Sequence, residues 1–206
     1  MSELIRATGV VVAGGWSRRM GRRKEWLDFG GMSLLERVVA RAEGMFPRVV
    51  VVAKEPEGLP ALRVEVMKDC EGGSGPLAGI RGGLEALKTE YAFACACDMP
   101  FVNVEVVRLL WGHAGEGEVV IPRGEGGLEP LHAFYSKRCL EPVRRALSAG
   151  KRRIVDFFHE VSVVEVGAEE LSRVGDYEES FLNLNTPEEY ERAVEVMRTR
   201  RARRRE

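Results

Sequence analysis

The sequence predicts a single α/β domain, a mostly parallel sheet with helices on both faces. Three observations predict it. Strand-like and helix-like segments alternate almost throughout the 206 residues. Residues 48–53, RVVVVA, carry four consecutive valines, as suits a central parallel strand buried on both faces. Glycine-rich turns follow strand-like runs, at Gly14-Gly15 and in residues 68–83, KDCEGGSGPLAGIRGG.

In order, residues 8–13 read as the first strand. Leu34, Leu35, Val38, Val39 and Ala42 then recur at helical spacing, with Ser33 as N-cap and Glu36 completing a capping box. Gly44 and Pro47 end that helix. The 48–53 strand follows, then a Pro/Gly loop over 54–62 and a short strand at 63–67. A helix starts at Pro76, where a missing N–H is no loss, and runs to residue 88. Residues 91–97 form a fourth strand that ends on Asp98-Met99-Pro100. Asn103 caps a helix over 104–111, and 118–122 is a fifth strand.

The alternation then changes. Residues 129–135, EPLHAFY, read as a strand leading into a helix over 136–149 with Leu140, Val143 and Leu147 inward. A short helical piece at 154–158, a strand at 161–166 and an apolar stretch at 181–184 follow. Thr186 caps the last helix, with Glu189 at the capping-box position and Tyr190, Ala193, Val194 and Met197 inward. The domain is expected over residues 1–197, with 198–206 a flexible basic tail.

Composition is that of an ordinary globular protein, 45% apolar and 31% charged. A net charge of −1 gives no global basic field for nucleic acid, and no nucleic-acid partner is expected. Cations are nonetheless clustered, at 18–24, at Lys151-Arg152-Arg153 and from Arg198 onward. No apolar run approaches the roughly 18 residues needed to span a bilayer, so no membrane is expected. The opening MSELIRATG has no signal-peptide apolar region, and the expected location is cytoplasmic. Cys70, Cys95, Cys97 and Cys139 lack metal-ligand spacing, and Cys95 and Cys97 read as small hydrophobes on one strand face.

The chemistry centres on residues 10–35, where an apolar strand breaks into a loop holding Arg18, Arg19, Arg22, Arg23 and Lys24. Glycine lets a backbone approach a ligand closely, and its N–H can point at phosphate oxygens. Five cations in seven positions beside such a turn suggest a polyphosphate. The Walker and dinucleotide spacings are both missing. Asp98, a carboxylate ending a buried strand, is the candidate metal ligand, since such a charge is costly unless paired or bound to a cation. A capping role before Pro100 is its alternative. Asp69 either contacts a ligand or caps the glycine turn. The Gly14-Gly15 loop, the 69–79 loop and Asp98 all fall at strand carboxyl ends, where ligands sit in such sheets.

Six segments, in order, carry a resemblance. VVAGGWSRRMGRRK at 11–24 resembles the LAGGxSxRMGxxK signature of the MobA-like nucleotidyltransferases. GGMSLLE at 30–36 resembles their GxxLLE continuation, and Asp69 with GPLAGI at 75–80 their D…GPLAGI segment. CDMP at 97–100, EPLHAFY at 129–135 and FLNLNTP at 181–187 resemble CDMP, EPLHALY and FxNxNTP. Within that family the chain is most similar to the guanylyltransferase branch. The resemblance implies a three-layer Rossmann-like nucleotidyltransferase fold and transfer of GMP from GTP to the terminal phosphate of molybdopterin, or Mo-molybdopterin, releasing pyrophosphate. It also implies Mg²⁺.

By that resemblance Val12, Ala13, Gly14 and Gly15 bind the nucleotide with Lys24, Asp69 and Asp98. Lys24, Arg19 and Asp98 are catalytic, and Asp98 holds the metal. Gly79, Asn183 and Asn185 face the acceptor substrate. A molybdoenzyme or chaperone is the candidate protein partner, and the chain is expected to be a monomer or weak oligomer. Family members often carry Asp where Arg23 stands here, so any role of that carboxylate is open. Two other readings remain: a cytidylyltransferase or other small-phosphate nucleotidyltransferase of the same fold, and a non-catalytic nucleotide-binding module.

Overall fold

The computed structural model describes residues 3–14, 23–69 and 75–203, with side chains described through residue 199. Its elements are β1 (Thr8–Ala13), α1 (Leu34–Glu43), β2 (Arg48–Ala53), β3 (Glu65–Lys68), α2 (Pro76–Glu85), β4 (Tyr91–Ala96) and α3 (Val104–Gly112). There follow β5 (Val119–Gly124), β6 (Gly127–Leu128), β7 (His132–Ser136), α4 (Leu140–Ser148), β8 (Val163–Val166), α5 (Ala168–Leu171) and α6 (Pro187–Arg203). They build one sheet in the order β3-β2-β1-β4-β7-β5-β6, with β8 also paired to β5. β1 runs parallel to β2 and β4, β2 to β3, and β5 to β8. β7 is antiparallel to both β4 and β5. The sheet is therefore mostly parallel, as its valine runs require.

Side chains alternate across β1 and fill two cores. Val11 and Ala13 face α1 and α3 in one core, and Val10 faces α2 and α4 in the other. Three layers result. α2 sits directly on β1 and β2 because its inner face is glycine. A Cβ on Gly79 would stand 2.5 Å from Val12, and one on Gly83 2.5 Å from Val10. The Ser33–Glu36 capping box starts α1 as expected, with the Glu36 carboxyl held below its usual range by the Ser33 hydroxyl.

Several boundaries differ from expectation for local reasons. α2 stops at Glu85, where the Ala86 carbonyl accepts from the Arg48 guanidinium at 2.5 Å. Residues 129–131 form a turn, not strand: His132 N–H donates to the Glu129 carbonyl at 2.9 Å, and the Tyr135 hydroxyl to the Pro130 carbonyl at 2.6 Å. Ser136 caps a 3₁₀ turn at Lys137–Cys139 before α4 begins. β6 and α5 carry too few residues for a periodic signal. α6 continues to Arg203, so residues 198–203, expected in a flexible tail, are helical.

Candidate nucleotide-transfer site

β1, β2, β3 and β4 are mutually parallel, so their carboxyl ends share one edge. The Val12 carbonyl, one residue before the end of β1, accepts the Cys97 N–H at 3.0 Å, and Ala13 pairs with Ala53 at the end of β2. Asp69, after β3, donates its N–H to the Ala53 carbonyl at 2.6 Å. Gly14 turns with φ +128, a conformation that favours glycine, against Lys54 at the end of β2. Lys54 is a cation at this edge that sequence reasoning missed. Val12, Ala13, Gly14, Asp69 and Asp98 thus stand at adjacent strand ends. Gly15, Arg18, Arg19 and Arg22, like Trp16 and Cys70, lie outside the described residues.

The chemistry converges at Lys24, on a 3₁₀ turn at Lys24–Trp26. Its Nζ lies 2.6 Å from Asp98 Oδ2 and donates to Asn185 Oδ1 at 2.7 Å. These residues come from three distant segments. The side chains of Lys24 and Asp98 are 13% and 14% exposed, so the pair is shielded yet open to a ligand. The Leu184 N–H also donates to the Asp98 carbonyl at 3.0 Å, which ties the Asn183–Asn185 segment to the end of β4. Asn183, half-buried, spends its amide N–H on the Phe181 carbonyl at 3.0 Å.

One small hydrophobic cluster underlies this knot. Leu27, Phe29, Leu34, Phe101, Leu184 and Ala193 pack together, and Phe29 and Phe101 meet edge-on with centroids 5.8 Å apart. Leu27 lies three residues after Lys24, Phe101 three after Asp98, and Leu184 between the two asparagines. Each polar group thus stands beside an apolar anchor in a shared cluster, which holds the geometry without a ligand. Sequence reasoning could not assemble this, because the three anchors belong to different periodic patterns.

Arg23 is accounted for by its neighbours. Its guanidinium lies 3.9 Å from carboxylate oxygens of both Glu25 and Glu55. Glu25 is 1% exposed beside Lys24, a buried carboxylate that the sequence reading passed over. In this chain a basic residue at position 23 is balanced by an acidic one at position 25. Trp26, Leu27, Asp28, Tyr190 and Arg23 line a cleft of about 410 Å³ on this flank.

Gly79 does not reach the knot: it is buried in α2 against Val12. At the start of α2, Gly75 takes φ +88 with the Arg152 carbonyl beside it. Arg152 thus lies beside that helix N-terminus through its backbone, while its guanidinium donates to the Lys151 carbonyl at 2.7 Å. Cys95 and Cys97 pack into the same core, as expected. Burial pushes the Cys95 thiol up to about 12 and the Cys97 thiol further still. Among the described residues no group of three or more His, Cys, Asp and Glu could hold a metal ion. No helix among them is long and apolar enough to cross a membrane.

Known proteins resemble this chain in sequence and in fold. A relative from Pelotomaculum thermopropionicum, described as a probable molybdenum cofactor guanylyltransferase, is 35% identical over 190 residues, 92% of this chain and 93% of its own length. A molybdenum cofactor guanylyltransferase from Desulfosudis oleivorans is 34% identical over 196 residues, covering 94% and 97%. The crystal structure of molybdopterin-guanine dinucleotide biosynthesis protein A from Archaeoglobus fulgidus superposes with a TM-score of 0.83 at 29% identity, covering 93% of this chain and 99% of that one. Residues 9–195 match the model of the MobA-like NTP transferase domain, and the chain belongs to that family.

Proposed function

We propose that this protein transfers GMP from GTP to the terminal phosphate of molybdopterin and releases pyrophosphate. The observation that carries the proposal is the contact of Lys24 with Asp98 and Asn185 at the carboxyl edge of a parallel sheet. The likeness to guanylyltransferases at about a third identity supports the choice of guanine and of molybdopterin.

The acceptor is a phosphate monoester, already ionised near neutral pH, so the attack needs no general base. Its oxygen bonds to the α-phosphorus of GTP, and the bond to the bridging β-phosphate oxygen breaks with its electron pair leaving on pyrophosphate. Two anions must be held in line while charge builds at the reacting phosphorus, so positioning and charge neutralisation are the protein's task. Lys24 supplies the cation there. Asp98 and Asn185 aim it, and on ligand binding Lys24 exchanges one of these contacts for a phosphate oxygen. Lys54 and the amides at the start of α2 add positive potential along the same edge. Arg19 belongs to the same proposal as a further phosphate-binding cation.

Mg²⁺ fits these residues in one mode. Asp98 is the carboxylate in contact with Lys24, and Mg²⁺ commonly takes one or two carboxylates with phosphate and water completing its shell. When bound, it would neutralise triphosphate charge and fix the geometry of the phosphates. A cytoplasmic location accords with three buried free thiols, Cys95, Cys97 and Cys139.

The test is thermal unfolding with Mg²⁺ and each of GTP, CTP, UTP and ATP. A ligand at a hundredfold its Kd stabilises by about 2.7 kcal/mol, so the cognate nucleotide stands clear of the others. GTP is expected to raise Tm most, and preference for CTP would sink the guanine assignment.

A further inference from the structure

We infer that His132 and Ser180 are positioning residues that set the acceptor side of the site by pinning the segment that carries Asn183 and Asn185. His132 is on β7, directly opposite Cys95 of β4 in the sheet. It is fully buried, and its ring stands edge-on to Phe93 and Phe181, with centroids 5.1 and 5.0 Å away. Ser180, 1% exposed, lies in the 3₁₀ turn Tyr177–Phe181, three residues before Asn183.

Ser180 Oγ accepts the Asn103 N–H at 2.8 Å and shares a second hydrogen bond with His132 Nε2 at 3.2 Å, in which the imidazole tautomer decides the donor. His132 Nδ1 has no hydrogen-bond partner among the described residues, so the bond to Ser180 is the ring's one polar anchor among them. Burial lowers its pKa to about 3, so the ring stays neutral.

A buried polar pair gains little net stability over an apolar pair of the same shape. What it supplies is direction. The aromatic cage holds Phe181 but does not fix the rotation of the turn, whereas one hydroxyl shared by His132 and the start of α3 does. Downstream, the Phe181 carbonyl takes the Asn183 amide, and Leu184 is bonded to Asp98. Asn185 reaches Lys24 from a segment fixed at both ends. Loss of the Ser180 peg frees the upstream end and leaves Lys24–Asp98 formed.

This inference rests on the proposal that Asn183 and Asn185 face the acceptor. Its test is steady-state kinetics of Ser180→Ala and His132→Phe with GTP and molybdopterin, together with amide hydrogen exchange of residues 181–186 without substrate. Both variants are expected to raise the KM for molybdopterin about tenfold, the worth of one hydrogen bond, with a clearly smaller rise for GTP, because Lys24 keeps its contact with Asp98. Exchange at 181–186 is expected to quicken in both. An unchanged molybdopterin KM, or an equal rise in both KM values, overturns the inference. If one variant does not fold, the other decides. An inactive wild-type protein would instead defeat the guanylyl-transfer reading, while the exchange data would still test the peg.

Discussion

Lys24 Nζ stands 2.6 Å from Asp98 Oδ2, a contact between a 3₁₀ turn after the basic loop and the end of a buried strand. Neither residue holds its place by this pair alone. Leu27 and Phe101, three residues downstream of each, meet in one apolar cluster with Leu184. The ion pair is the polar face of a packed unit.

Lys24→Ala and Asp98→Asn are therefore expected to lower kcat/KM for guanylyl transfer by about 10²–10³-fold, the range for loss of one charge-stabilising group. Pyrophosphate release measures this. Because the cluster beneath survives, circular dichroism should remain that of the parent.

Gly79→Ala tests whether Gly79 acts through packing. A Cβ there stands 2.5 Å from Val12 Cγ1 inside a close-packed core. Overpacking costs about 1–3 kcal/mol, partly offset by about 1 kcal/mol of helix propensity. Tm should fall by a few degrees, and on the proposal that the Val12 strand end binds the nucleotide the KM for GTP should rise. An unchanged Tm would contradict the packing account.

The buried His132 makes acid stability informative. Its folded pKa is lowered to about 3, below the 6.5 of an exposed histidine, so between those values the unfolded chain binds the extra proton. Stability from this residue is present in full above pH 6.5 and is lost as pH falls toward 3, with a slope of at most about 1.4 kcal/mol per pH unit. In His132→Phe that contribution should vanish. Urea unfolding between pH 6.5 and 5, above most carboxylate titration, reads the difference between the two proteins.

Legibility in the sequence followed the range of the interaction. The strands and the α1 and α6 caps were readable because period, capping residues and valine runs are local signals. The three-layer sheet followed from their alternation. The antiparallel β7 was not readable, because pairing direction is set by the turn at 129–131 and not by any residue in the strand. In the site, Lys24, Asp98 and Asn185 were reached through motifs, but their mutual contact was not, since it depends on the Leu27–Phe101–Leu184 cluster. Arg23 looked anomalous until Glu25 and Glu55 stood beside it. Lys54 and Ser180 carry no local pattern that separates them from ordinary surface and turn residues.

Cys95, Cys97 and Cys139 should be inert in the native protein. All three are buried, with thiols pushed to about 12 for Cys95 and Cys139 and higher for Cys97. Iodoacetamide at pH 8 should leave their peptides unmodified in the folded protein and alkylate them in guanidinium. Alkylation of Cys97 in the native state would show that the end of β4 opens.

Pyrophosphate release from purified protein, molybdopterin, Mg²⁺ and each of GTP, CTP, UTP and ATP tests the central claim most directly. GTP should give molybdopterin-dependent release at least about tenfold above any other nucleotide, equivalent to about 1.4 kcal/mol of discrimination. Greater release with CTP, or nucleotide binding with no release from any of the four, would contradict it.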